Sequence, residues 1–171
     1  MPADLKCTEK VAMTIQVVAE SLIHRSPEDV FDFITSPDAV GKTFDGYGPI
    51  PGVERSEVLG EESLRKGSIR RVYGTDGSVV DEEILSLERP HTQTYRLVSG
   101  LRPPFSWLLK EAGGHWDLRP DGPNTHITWT FSFTPRNWLT RPLLAIFIKG
   151  PFRRAMDACL ANTKRLLNGV H

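Results

Sequence analysis

The chain has 171 residues, 39% apolar and 25% charged, enough for one substantial core and too apolar for a disordered segment. Its 21 basic and 21 acidic side chains cancel, so no bulk positive field draws in nucleic acid. The longest plain apolar run, Leu143 to Ile148, lies between Arg141 and Lys149 and falls far short of the about 20 residues that span a bilayer.

Residues 1–12 mix charges without periodicity and are expected to form a loose tail ahead of one domain over residues 13–168. Met1-Pro2-Ala3-Asp4 is not a basic region leading into an apolar run, so no secretion signal is expected and the cytoplasm is the expected location. There, Cys7 and Cys159 are expected as two free thiols in place of a disulfide.

Thr14 to Ile23 is rich in β-branched residues and reads as a first strand. Ser26-Pro27-Glu28-Asp29 then starts a helix: Ser26 caps, Pro27 suits the first helical position and Asp29 closes the box. Val30, Phe31, Phe33 and Ile34 form its apolar face, and a second short helix is expected over Asp38 to Lys42. Six strand-length segments follow, at 53–59, 67–73, 78–87, 92–98, 112–118 and 125–134, separated by turn compositions rich in glycine and proline. Connections this short imply antiparallel neighbours. Beyond Asn137 the period changes to threes and fours, with Leu144, Ile148, Phe152, Met156, Cys159, Thr163 and Leu166 on one helical stripe. Gly150-Pro151 interrupts it, because Pro151 has no N–H to bond back to Phe147, so the main helix is expected over Phe152 to Leu167. The fold class is therefore α+β, with a curved seven-stranded antiparallel sheet around a long C-terminal helix and a pocket between them.

The order of elements, with Ser26-Pro27-Glu28-Asp29-Val30-Phe31-Asp32-Phe33-Ile34 after the first strand, the Gly67 to Arg71 strand, the acidic Asp81-Glu82-Glu83 strand and a closing helix ending near Asn162 to Leu166, resembles the helix-grip superfamily. That superfamily includes START lipid-transfer domains, the birch-pollen allergen class and polyketide cyclase/dehydratase-like proteins, and the likeness over residues 14–168 is to the last branch. The resemblance implies a cavity under the long helix for a lipid, sterol, polyketide or hormone. It supplies no invariant catalytic set. The Leu101 to Lys110 insert and Gly150-Pro151 are departures that reshape the pocket mouth.

Trp116 and Trp129 are expected to face the helix from adjacent strands, offering either ligand wall or plain core. Phe131, Phe152 and Met156 join them as candidate ligand contacts. Trp107, in an apolar connection stiffened by Pro103 and Pro104, reads either as a lid or as a packed loop. Strict alternation, with Tyr73, Leu85 and Leu87 as guides, turns Ile69, Arg71, Tyr73, Asp81, Glu83 and Leu85 inward, unless a bulge reverses them. Arg71 then pairs with Glu83 and orients a ligand carbonyl, or serves only as a structural ion pair. Tyr95 shares the inner face with Leu97. Glu83, Tyr95 and Arg71 are the candidates for acid–base catalysis.

No metal is expected: His115 and His126 alternate against the tryptophans and so lie outside, and no HExxH or paired-cysteine pattern exists. No nucleophile elbow or phosphate loop appears, and no cofactor is implied. Residues 136–165 hold seven cations against Asp157, either a solvated helix face or a peripheral membrane contact beside the 143–148 run. The leading functional reading is binding or carriage of a lipid-like or polyketide-like hydrophobic molecule. A cyclase/dehydratase-type enzyme is the alternative, and an interaction protein with a filled core is a third.

Overall fold

The computed structural model describes residues 14–169, so the expected tail at 1–12, and Cys7 with it, lies outside the described residues. Strand β1 (Ile15–Ile23) leads into helices α1 (Pro27–Thr35) and α2 (Ala39–Thr43). The meander β2 (Val53–Val58), β3 (Ile69–Gly74), β4 (Val79–Glu88) and β5 (Thr92–Ser99) follows. Helix α3 (Phe105–Leu108) runs straight into β6 (Leu109–Asp121), which turns back as β7 (Asn124–Pro135). A 3₁₀ turn (Trp138–Thr140), α4 (Arg141–Phe147), a π turn (Ile148–Phe152) and α5 (Arg153–Asn168) complete the chain.

All seven strands join one antiparallel sheet in the order β1-β7-β6-β5-β4-β3-β2. Consecutive strands pair because their links are too short for a crossover. The exception is β1, which pairs with β7, since α1 and α2 carry the chain from one edge of the sheet to the other. Ser26 starts α1 as its composition predicts: its Oγ accepts from the Asp29 N–H at 3.2 Å, and Val30, Phe31 and Ile34 are buried.

Helix α5 packs into the hollow of the sheet with Ala155, Met156, Cys159, Leu160 and Thr163, and Gly169, at φ +71°, ends it in the left-handed conformation that glycine adopts without strain. The expected stripe drifts at its far end. Leu166 is 41% exposed, and Leu167 packs on the core instead, because a 3.6-residue turn outruns a strict four-three spacing. The expected break at Gly150-Pro151 is a π turn that joins α4 to α5.

One expectation about facing is reversed. Arg70, Val72, Val80, Glu82 and Ile84 point into the hollow, while Arg71, Glu83 and Leu85 face the other side. The cause is the register shift between Ile84 and Ser86. It puts Leu87 on the same side as Ile84, so alternation counted back from Leu87 arrives one residue out of phase.

Candidate functional site

Between the sheet, α2 and α5 lies a cavity of about 180 Å³. Its walls are largely apolar: Phe44 from the end of α2, Leu97, Trp116, Trp129 and Phe131 from the sheet, and Phe152 from the π turn. The two indoles stack at 4.4 Å between centroids and 10° between planes, as their direct cross-strand pairing on β6 and β7 requires. Phe44 meets Trp129 edge-on at 6.2 Å, and Phe152 meets Phe131 at 5.0 Å.

One corner is polar. Arg70 and Glu82 are register partners on β3 and β4, joined by Nη2–Oε2 at 2.6 Å and Nε–Oε2 at 2.8 Å with both side chains nearly out of solvent. Burial works against the Arg70 cation, but Glu82 beside it more than compensates and raises its pKa above the ordinary value. The Arg70 guanidinium carbon sits 5.4 Å from the Tyr95 ring centroid. The Tyr95 hydroxyl accepts from Trp129 Nε1 at 3.2 Å, and its own proton has no acceptor among the described residues. Burial, with the Glu82 carboxylate nearby, pushes the Tyr95 pKa far up, so the phenol stays neutral and acts as a donor.

Tyr95 can lie there because its register partner on β6 is Gly114. A Cβ at Gly114 would run into the Tyr95 ring and hydroxyl. The remaining polar wall groups are occupied. Thr43 and Thr163 hydroxyls bond to the helix carbonyls of Ala39 and Cys159 at 2.8 and 2.9 Å. Burial pushes the Cys159 thiol up to about 11, so it is protonated at neutral pH and lacks nucleophilic character.

The structure thus places Trp116, Trp129, Tyr95, Phe131 and Phe152 on the cavity wall. Met156 is fully buried core behind it. The 101–110 connection is packed and is not a lid: Leu101, Phe105 and Leu108 lie against the core and none of its residues lines the cavity, while α3 turns the Trp107 indole to solvent at 70% exposure. Arg71 is paired outside with Asp81 at 2.7 Å, and Glu83 with Arg96 at 2.6 Å, so neither reaches the cavity. Their neighbours Arg70 and Glu82 hold the inward places. His115 bonds to Thr94 at 2.8 Å on the outer face. The Gly113-Gly114 pair inside a strand was the available signal for the Tyr95 position, since mid-strand glycine marks a close approach.

The match of residues 14–168 to the family model for polyketide cyclase/dehydrase and lipid transport shows that the chain belongs to that family. Its sheet and closing helix form the helix-grip fold of solved structures at low identity. Ginseng major latex-like protein 151 from Panax ginseng is 15% identical with a TM-score of 0.66, covering 91% of this chain and 98% of that one. The di-domain ARO/CYC BexL from the BE-7585A biosynthetic pathway is 16% identical with a TM-score of 0.67, covering 94% and 53%. A Thalictrum flavum norcoclaurine synthase point mutant in complex with a transition-state analogue is 15% identical with a TM-score of 0.66, covering 91% and 95%. Among curated proteins none matches the sequence.

Proposed function

We propose that the chain binds a small hydrophobic molecule of one or two rings that carries a single acceptor oxygen. The observation that carries this reading is the apolar cavity with one donor corner, lined by Tyr95 and by the Arg70 guanidinium 5.4 Å from the Tyr95 ring centroid. Volume decides the size class. An engineered apolar cavity of about 150 Å³ holds benzene, whereas drug-sized ligands occupy roughly 300–1,000 Å³. At about 180 Å³ the cavity suits a compact ring system better than a long lipid or a multi-ring polyketide. Buried donors beside an apolar wall favour a ketone, phenol or ether over a pure hydrocarbon.

Binding is favoured over cyclase or dehydratase chemistry because no group at the corner is poised to move a proton. Glu82 is committed to Arg70, Tyr95 is held neutral, and Glu83 lies on the other face. Titration of the purified chain with α-tetralone, followed by Trp116 and Trp129 fluorescence, tests the reading. Saturable quenching is expected, and absence of any saturable response to α-tetralone or to its hydrocarbon analogue tetralin would refute it.

A further inference from the structure

Five large apolar side chains stand out from the rest of the described surface: Trp107, Trp138, Leu139, Leu143 and Ile146, at 67–73% exposed. The next most exposed, Val98, is at 46%. All five come from two stretches of chain that the structure binds into one end of the molecule. The Phe105 and Phe147 rings meet at 4.8 Å between α3 and α4. The Arg136 N–H donates to the Leu108 carbonyl at 2.8 Å, and Arg136 Nη2 donates to the Ser106 carbonyl at 3.2 Å. Helix α4 buries Leu144 and turns Leu143 and Ile146 outward, so the exposed residues are not a frayed core.

The charges of this end are one-sided. Residues 101–110 and 136–149 carry Arg102, Lys110, Arg136, Arg141 and Lys149, all exposed, and no aspartate or glutamate; the exposed Glu111, next to Lys110 in the chain, is the acid at their border. None of the five forms a salt bridge among the described residues, but Arg102 is held by the Gly77 carbonyl at 2.7 Å near the Asp76 carboxylate, which leaves Lys110, Arg136, Arg141 and Lys149 as the cations of this end.

We propose that this end docks on an anionic lipid surface, with the two indoles and the α4 side chains entering the headgroup boundary and Lys110, Arg136, Arg141 and Lys149 meeting lipid phosphates. Indole favours that boundary because one ring carries both an apolar body and an N–H donor. A short apolar ridge flanked by cations is the composition of an interfacial anchor, which lies in the membrane surface and does not span it. A second copy of the same end is disfavoured, since a two-fold contact would set four cations against four. The π turn that follows α4 ends in Phe152, a cavity wall, so the docked end adjoins the cavity directly. The proposal is independent of what the cavity holds.

Co-sedimentation of the full chain with vesicles of equimolar phosphatidylcholine and phosphatidylglycerol, against phosphatidylcholine alone, tests it. Binding to the mixed vesicles is expected, weakened by added salt and accompanied by a blue shift of tryptophan emission. Two surface variants, Trp138→Ser with Ile146→Ser, and Arg141→Glu with Lys149→Glu, are each expected to bind about tenfold more weakly or worse while keeping the far-ultraviolet circular dichroism of the parent. No binding to the mixed vesicles, or equal binding by both folded variants, would overturn the proposal. So would concentration-dependent dimers that the Trp138→Ser, Ile146→Ser variant abolishes, which would assign the face to a second copy.

Discussion

At the Arg70–Glu82 pair two opposite charges share a site almost closed to water, and each is tolerable only because of the other. Glu82→Gln keeps the shape and removes the charge, leaving the guanidinium buried and uncompensated. The expected cost is about 3–5 kcal/mol in denaturant unfolding, with a melting temperature lower by roughly 10 °C. A loss under about 1 kcal/mol would show that water screens the pair. Gln93 presents the opposite case: it is fully buried on β5, and neither amide atom has a partner among the described residues. Gln93→Met, nearly equal in shape, relieves that desolvation and is expected to stabilise by about 1–2 kcal/mol, checked by the same unfolding titration. The identity of the aromatic wall was readable from the alternation of Trp116 and Trp129 against His115 and His126. The facing of the charged residues was not, because a single register shift next to Leu87 inverts every assignment made from it.

The β3–β4 hairpin carries a second arginine–carboxylate pair on its outer face. The Arg71 hydrogen bonds hold the Asp81 carboxyl below the usual range, and Ser99 adds a third donor. A carboxyl whose folded pKa lies below its unfolded value stabilises the fold fully above the unfolded pKa, about 3.9, and loses that contribution as pH falls through the folded one. Arg71→Ala is therefore expected to flatten the acid limb of the stability–pH curve below about pH 4 and leave its neutral limb parallel to the parent. An unchanged acid limb would remove Asp81 from the account. Among the elements, those with a local chemical cause were legible. Ser26 and Pro27 start α1, Pro151 breaks the last helix, and glycine-rich turns set the antiparallel order. Helix α3 was not, since its four residues are too short for any periodicity, and so Trp107 could not be placed.

Across the whole molecule, zero net charge conceals a division of labour between surfaces. Nine of the described cations sit in salt bridges along the sheet and the helices, while one end keeps cations without a bridge beside exposed indoles. Inside, the sheet is too curved for one helix to fill, and the space left over is apolar except where β3, β4 and β5 bring Arg70, Glu82 and Tyr95 together. The existence of that space followed from the order of elements alone. Its volume did not, because it depends on how far Trp116, Trp129 and Phe152 intrude, which no spacing in the chain encodes. The donor corner is the central claim, and calorimetry of α-tetralone and tetralin with the parent chain and with Tyr95→Phe tests it most directly. The parent should bind the ketone about tenfold more tightly than the hydrocarbon, as one buried hydrogen bond allows. In Tyr95→Phe that preference should largely disappear while tetralin binding is kept. An equal preference in both proteins would contradict the account.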